Sequence, residues 1–167
     1  MKYLPAEDIT FQSKLKEAEL IQRLEDSIEP VKAFRFGFFN RSDTKPYEGK
    51  IVGNSFNISR IINYRNSFLP QISGNIENTF SGSIIKVKMR LHVAVLAFVC
   101  IWCGITGSFS IAMLTESFGT ADFELANLTP FGMLLFVYLL TLGAFKLESV
   151  ESKKYLQSLF EAEIIEE

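Results

Sequence analysis

The chain has 167 residues, of which 48% are hydrophobic, and a formal net charge of −2. Because this balance gives no global basic field, it argues against a nucleic-acid partner. Two cysteines and one histidine are too few for a structural zinc site. The sequence also contains no nucleotide-binding, metalloprotease or serine-hydrolase motif. We therefore expect no metal, no cofactor and no enzymatic activity.

The first predicted element is an amphipathic helix in the N-terminal segment, residues 1–30. Between residues 10 and 29, apolar side chains recur at intervals of three and four, which is typical of a helix with one buried face. These apolar side chains are Leu15, Ala18, Ile21, Leu24 and Ile28. Pro30 is expected to end the helix.

Residues 31–90 are predicted to form a cytoplasmic antiparallel β region. The β-rich runs are VKAFRFGFF, YEGKIVG, SFNISRIINY, QISGNIE and SIIKVKMR, and Gly53-Asn54 marks a hairpin turn. Alternation in the last two runs gives the sheet one apolar and one polar face. The N-terminal helix is expected to cover the apolar face, because a small sheet cannot leave that face in water.

Two segments without Asp, Glu, Lys or Arg follow, at residues 91–115 and 125–145. A bilayer core about 30 Å thick needs roughly 20 apolar residues in a helix, so the segments predict a pair of transmembrane helices. Basic residues flank the pair, whereas the connecting loop, residues 116–124, is acidic. The positive-inside rule then places the loop outside and both termini in the cytoplasm.

The expected fold class is therefore an α+β membrane protein. It consists of a small antiparallel β-meander of about five strands with N- and C-terminal helices, and a two-helix transmembrane hairpin after the last strand. The C-terminal helix, residues 146–167, is expected to be cytoplasmic and to pack with the β region. No Gly, Pro or Ser linker separates the last strand from the first apolar segment, so the sheet should lie close to the bilayer.

One loop carries a candidate binding site, made of Tyr64, Arg65, Asn66 and Ser67. The Arg65 guanidinium has the geometry to hold a phosphate or carboxylate in a bidentate fork, and Asn66 and Ser67 would add hydrogen bonds. The alternative is a structural corner in which Asn66 and Ser67 bond nearby backbone. Both interpretations remain open on the sequence alone.

A second candidate site is the basic stripe Lys86, Lys88 and Arg90, on one side of the last strand. At the inner leaflet, each basic residue would gain about 1 kcal/mol from anionic lipid. The alternative is that these residues only determine topology. A contact with lipid headgroups and a topological role are compatible with each other.

The first apolar segment carries a third candidate feature, a face of small residues. Its members stand at every fourth position: Cys100, Gly104, Ser108 and Ala112. Small residues let helices approach closely in lipid. This face would pack either on the second apolar segment, through Gly132 and Gly143, or on another copy of the chain as a homo-oligomer.

The run FNISRIINYRNSFLPQISG, followed by KVKMRLH and two apolar segments, resembles an uncharacterised group of small bacterial two-span membrane proteins. That group carries a YRNSFLP-x3-G motif. The similarity covers residues 47–91 well and the remainder loosely. It implies a multi-pass protein of the bacterial inner membrane and attaches no activity to it.

Three functional hypotheses follow from these features. The first is a membrane-anchored, non-enzymatic binding or adaptor module for a cytoplasmic protein, a lipid headgroup or a small anion. The second is an oligomeric pore or membrane-disrupting effector built from the hairpin, although neither apolar segment has a polar stripe broad enough to line water. The third is a lipid-modifying enzyme that uses Arg65 with a carboxylate such as Glu48 or Glu77.

Overall fold

The computed structural model describes residues 3–30, 45–117 and 125–166. The chain is α+β, with a seven-stranded mixed sheet. Its elements are β1 (Ala6–Ser13), α1 (Glu17–Ser27), β2 (Ile28–Pro30), β3 (Tyr47–Val52), β4 (Ser55–Arg60), β5 (Pro70–Thr79), β6 (Gly82–Leu91), α2 (Val93–Ser117), α3 (Thr129–Leu159) and β7 (Ala162–Glu166). The strand order is β2-β3-β4-β5-β6-β1-β7. Neighbouring strands are antiparallel except β2 and β3, which are parallel.

The predicted meander is present as β3 to β6, and the Gly53-Asn54 turn joins β3 to β4 as expected. The sheet is nevertheless larger than predicted, because strands from both ends of the chain complete it. The predicted run VKAFRFGFF and most of the predicted acidic loop lie outside the described residues.

The prediction of a purely helical N-terminal segment is wrong. Residues 6–13 form β1, which pairs with β6 along its whole length, and only Glu17–Ser27 is helical. The side chains of β1 do alternate between the two faces of the sheet. The buried side, however, includes the polar residues Glu7 and Ser13. Apolar residues therefore do not recur regularly at every second position of β1, as they do in an easily predicted strand.

The C-terminal segment also differs from the predicted helix over residues 146–167. Helix α3 ends at Leu159, and residues 162–166 then form the edge strand β7 beside β1. Glu161 adopts a positive φ of 46° at this reversal. The Ser13 hydroxyl donates a hydrogen bond of 2.6 Å to the Phe160 carbonyl and so satisfies one of the free carbonyls at the helix end.

One face of the sheet is covered by α1 and by the C-terminal half of α3. The core between them contains Phe11, Ile58, Ile72, Ile85 and Met89 from the strands, Leu20 and Leu24 from α1, and Phe145 and Leu156 from α3. Arg23 of α1 ties the two helices together by donating a 3.1 Å hydrogen bond to the Leu159 carbonyl. The expectation that helices from both ends cover the apolar face is confirmed.

Helices α2 and α3 are long and apolar enough to cross a membrane. Only 6% and 11% of their most apolar windows are buried inside the molecule, whereas the core helix of a water-soluble protein would be mostly buried. Helix α3 has 31 residues and is about 46 Å long at 1.5 Å per residue. Its first half is apolar and exposed, and its second half packs on the sheet, so one continuous helix joins the two regions.

Candidate functional site

The uncovered face of the sheet is polar, and it is called the open face below. Its central residues are Lys50, Ser55, Asn57, Ser73, Asn75, Lys86 and Lys88, all of them exposed. They stand on β3, β4, β5 and β6 at alternate positions, because successive strand residues point to opposite faces. The open face is thus a polar surface that extends over four neighbouring strands.

Register places these side chains in rows across the strands. Lys50 pairs with Asn57, Asn57 with Ser73, and Ser73 with Lys88. The next row contains Asn75 paired with Lys86. Each row therefore has at least one amide group and at least one ammonium group.

Two of the three residues in the basic stripe predicted from the sequence form ion pairs. The Arg90 guanidinium donates two hydrogen bonds of 2.7 Å to the Asp8 carboxylate, and Lys86 lies 2.7 Å from a Glu77 oxygen. Lys88 has no ion pair within the described residues. Lys50, which was not predicted as a site residue, also forms no ion pair within the described residues.

A shallow depression of about 630 Å³ lies on the open face. Lys50, Lys86 and Lys88 line it together with Asn57 and Ser73. On the covered face below it, the Phe56 ring packs against Gly74, where any Cβ at Gly74 would overlap the ring. Most of the exposed surface inside the depression is apolar, although basic, amide and hydroxyl side chains line it.

The four residues of the predicted loop site do not act as one group in the structure, because only two of them contact α3. Tyr64 and Asn66 turn toward α3 and donate hydrogen bonds to Glu148, the latter at 3.2 Å. Arg60 also contacts the Glu148 carboxylate, at 3.0 Å. Tyr64, Asn66, Arg60 and Glu148 are called the Glu148 cluster below. The hydrogen bond from Tyr64 to Glu148 is the main reason that the pKa of Tyr64 is raised.

Arg65 and Ser67, by contrast, are exposed. The Asn66 side-chain oxygen accepts a 2.9 Å hydrogen bond from the Phe68 backbone, as the structural-corner alternative expects. The loop therefore combines a local turn, a contact with α3 and one exposed guanidinium. Glu48 and Glu77, the carboxylates of the enzyme hypothesis, lie on β3 and β5.

A second buried ionic group joins β1 to α3, and it is called the Glu7 cluster. Glu7 is 5% exposed and contacts Lys146, Lys153 and Ser149. The Ser149 hydroxyl donates at 2.5 Å, and Lys153 lies 3.3 Å away. Burial alone would raise the pKa of Glu7, but the Lys146 and Ser149 hydrogen bonds and the lysine charges outweigh it. The pKa of Glu7 is therefore below its ordinary value of 4.5.

Both clusters hold α3 where it leaves its apolar half. Glu7 contacts α3 from β1. Arg60 contacts α3 from the end of β4, and the 64–67 loop contacts it from the segment between β4 and β5. Further along the apolar half, the Tyr138 hydroxyl donates a 3.0 Å hydrogen bond to the Tyr3 carbonyl. These contacts fix the helix to the sheet on two sides, and they were not predicted from the sequence.

The small-residue face of α2 does not pack on α3. Cys100, Gly104, Ser108 and Ala112 are all exposed, whereas Ser110 is buried. A Cβ added at Gly104 would meet no atom within 4 Å, and the same holds for Gly132 and Gly143. The interpretation in which these glycines bring the two helices of one chain together is therefore not supported.

The described residues contain no group of three or more His, Cys, Asp or Glu side chains that could hold a metal ion. The open face carries ammonium, amide and hydroxyl groups, which can donate hydrogen bonds to oxyanions. No family model matches the sequence, and no curated protein or solved structure is significantly similar to it.

Proposed function

We propose that this chain is an integral membrane protein that anchors a small binding module at the cytoplasmic surface of a bacterial inner membrane. In this account α2 and the first half of α3 cross the bilayer, and the sheet with its helices stands in the cytoplasm. The observation that carries the proposal is the combination of two exposed apolar helices with a sheet whose second face is polar and uncovered.

Three features support a binding role over an anchoring role alone. The open face has a depression lined by three lysines, and the 64–67 loop exposes Arg65 beside the Glu148 cluster. Both surfaces are joined to the apolar helices without a flexible linker, since β6 is followed by α2 after one residue and α3 is continuous. A partner bound at either surface would therefore act on a rigidly connected hairpin.

Membrane insertion is tested first, by alkaline carbonate extraction of membranes from cells that produce the full chain. An integral protein stays in the pellet, because each span would have to expose about 20 apolar residues to leave the bilayer. Release into the supernatant would refute the proposal. A linker test follows, in which Gly and Ser residues inserted between Arg90 and Leu91 should weaken any effect of a partner on the hairpin.

The second candidate function is an oligomeric effector built from the hairpin. It is favoured by one observation, namely that the small-residue face of α2 points away from α3. In lipid such a face is suited to close packing against another helix. Under this candidate, Gly104→Leu abolishes oligomers in native mass spectra, whereas Ile105→Leu does not. A monomeric wild-type protein in nanodiscs would eliminate it.

A further inference from the structure

The depression on the open face is lined by three lysines together with amide and hydroxyl side chains. We propose that it binds a water-soluble phosphate ester or polyphosphate between Lys50 and Lys88, over a floor that includes Asn57 and Ser73. This assignment rests on the proposed function and names the ligand of the binding module. It gives Lys50 a role that the sequence alone did not suggest.

The four side chains lie in one row across the sheet. Lys50, Asn57, Ser73 and Lys88 occupy paired register positions on four neighbouring strands. At about 4.8 Å per strand, the two lysine Cα atoms lie about 14 Å apart, with the amide and hydroxyl between them. Ammonium groups at both ends and neutral donors in the centre suit an anion with several oxygens, because charge-assisted hydrogen bonds to phosphate are the strong ones.

Charge also favours an anion on this surface. Two carboxylates near the depression are engaged, Asp8 by Arg90 and Glu77 by Lys86. Glu48 stands two residues from Lys50 on the same side of β3, and no ion pair joins these two residues. Asp8 stands opposite Lys88 in register, yet both of its oxygens accept from Arg90. Lys50 and Lys88 are consequently the cations of this surface whose charge no described carboxylate pairs with directly.

Distance along β6 favours a soluble ligand over a lipid headgroup. Because β6 enters α2 just after Leu91, this distance sets the greatest height that the Cα atom of each lysine can have above the apolar helices. The limit is about 10 Å for Lys88 and about 17 Å for Lys86, at about 3.4 Å per residue. The headgroup layer is only about 5–8 Å thick on each side. Arg90, the cation of β6 nearest to α2, is paired with Asp8.

A small anion fits this surface better than a polymer does. Nucleic-acid bases stack on exposed aromatic rings, but the aromatic residue of this lining, Phe56, is 3% exposed and belongs to the covered face. An extended acidic peptide gains affinity by pairing with a strand edge, and a sheet face offers no such edge. A depression of about 630 Å³ instead falls in the size range of small-molecule sites.

The test uses the full chain in nanodiscs of zwitterionic phosphatidylcholine, with inorganic pyrophosphate as the probe in isothermal titration calorimetry. We expect binding that weakens as salt is raised. Lys50→Ala and Lys88→Ala should each weaken it by about tenfold or more, since a hydrogen bond to a charged group contributes about 1.5–3 kcal/mol. Lys154→Ala is the matched control, because that lysine is exposed on α3 away from the open face, and it should leave binding unchanged.

Several outcomes would overturn the assignment. One is a wild-type protein that enters nanodiscs but does not bind pyrophosphate. Another is a pyrophosphate affinity that survives both lysine substitutions, or that falls only in Arg65→Ala. A third is Lys50-dependent binding seen only with vesicles containing anionic lipid, or only with polyglutamate. Failure to enter nanodiscs at all would refute the proposed function itself, so the two failures are distinguishable. Circular dichroism of each variant verifies that the sheet is retained.

Discussion

The Glu7 cluster gives the sharpest quantitative prediction, through the substitution Glu7→Gln. The change keeps the size of the side chain and removes its charge. Glu7 lies between Lys146 and Lys153, whose side chains are 30% and 15% exposed. Without the carboxylate, two partly buried ammonium groups on α3 lose the counter-charge that Glu7 supplies.

Removing one partner of a fully buried ion pair costs about 3–5 kcal/mol. Both lysines keep some access to water, and the amide oxygen of Gln can still accept from Ser149, so we expect a smaller loss of about 2–3 kcal/mol in the free energy of unfolding. For a folded region of roughly 100 residues, each kcal/mol lowers the Tm by about 4–8 °C. The Tm of the sheet should therefore fall by about 10–20 °C.

The assay is thermal unfolding of the detergent-solubilised chain, followed by the β signal in circular dichroism. Asp8→Asn is the matched control, because it makes the same chemical change one residue away on the open face. The Asp8–Arg90 pair is about half exposed, and such surface pairs contribute only about 0–1 kcal/mol. A similar Tm for the two variants would refute the argument that burial makes Glu7 important.

The pH dependence of the Tm difference between wild type and Glu7→Gln is a second check. Because the folded-state pKa of Glu7 is lowered, the folded protein binds fewer protons than the unfolded chain around that pKa. Its stabilising contribution is fully present above pH 4.5 and is lost as the pH falls below that value. The Tm difference between wild type and Glu7→Gln should narrow in that range. A constant difference would contradict the assigned pKa shift.

Three further predictions concern the sheet and α3. Gly74→Ala should destabilise the sheet by about 1–3 kcal/mol, because its Cβ overlaps the Phe56 ring, whereas Ser73→Ala should not. Glu148→Gln should return the pKa of Tyr64 toward its ordinary value of 10.0, as read by ultraviolet titration of the phenols; an unchanged titration would contradict the contact. Tyr47→Phe should be neutral or stabilising by up to about 1 kcal/mol in thermal melts, since the buried Tyr47 hydroxyl lies near the Ser152 hydroxyl but makes no hydrogen bond of ordinary geometry within the described residues. A marked loss of stability there would show that this hydroxyl is bonded.

The features that sequence predicted well are those encoded locally. The two apolar helices follow from uninterrupted composition, and the β3–β4 hairpin follows from Gly53-Asn54 between β-rich runs. Strand β1 was missed because its buried side carries Glu7 and Ser13, whose partners lie on α3 and at its end. A polar residue with a distant partner removes the hydrophobic period on which strand prediction depends.

The residues of the candidate site were likewise predictable only where the signal is local in the sequence. Lys88 was identified because the basic stripe of β6 is visible in the sequence. Lys50 was not, since its approach to Lys88 depends on the register of four strands rather than on spacing along the chain. The roles of Tyr64 and Asn66 could not be assigned either, because their partner Glu148 is more than 80 residues away. Register and long-range contacts are set by tertiary packing.

The central claim, a two-span hairpin with the sheet on the cytoplasmic side, is tested most directly by thiol accessibility in intact cells. The background is Cys100→Ala/Cys103→Ala, with one new cysteine at a time: Thr120→Cys between the apolar helices, or Ser55→Cys on the open face. The account predicts that a membrane-impermeant maleimide labels the Thr120 position in intact cells and the Ser55 position only after the membrane is opened. Labelling of both positions from the same side would contradict it.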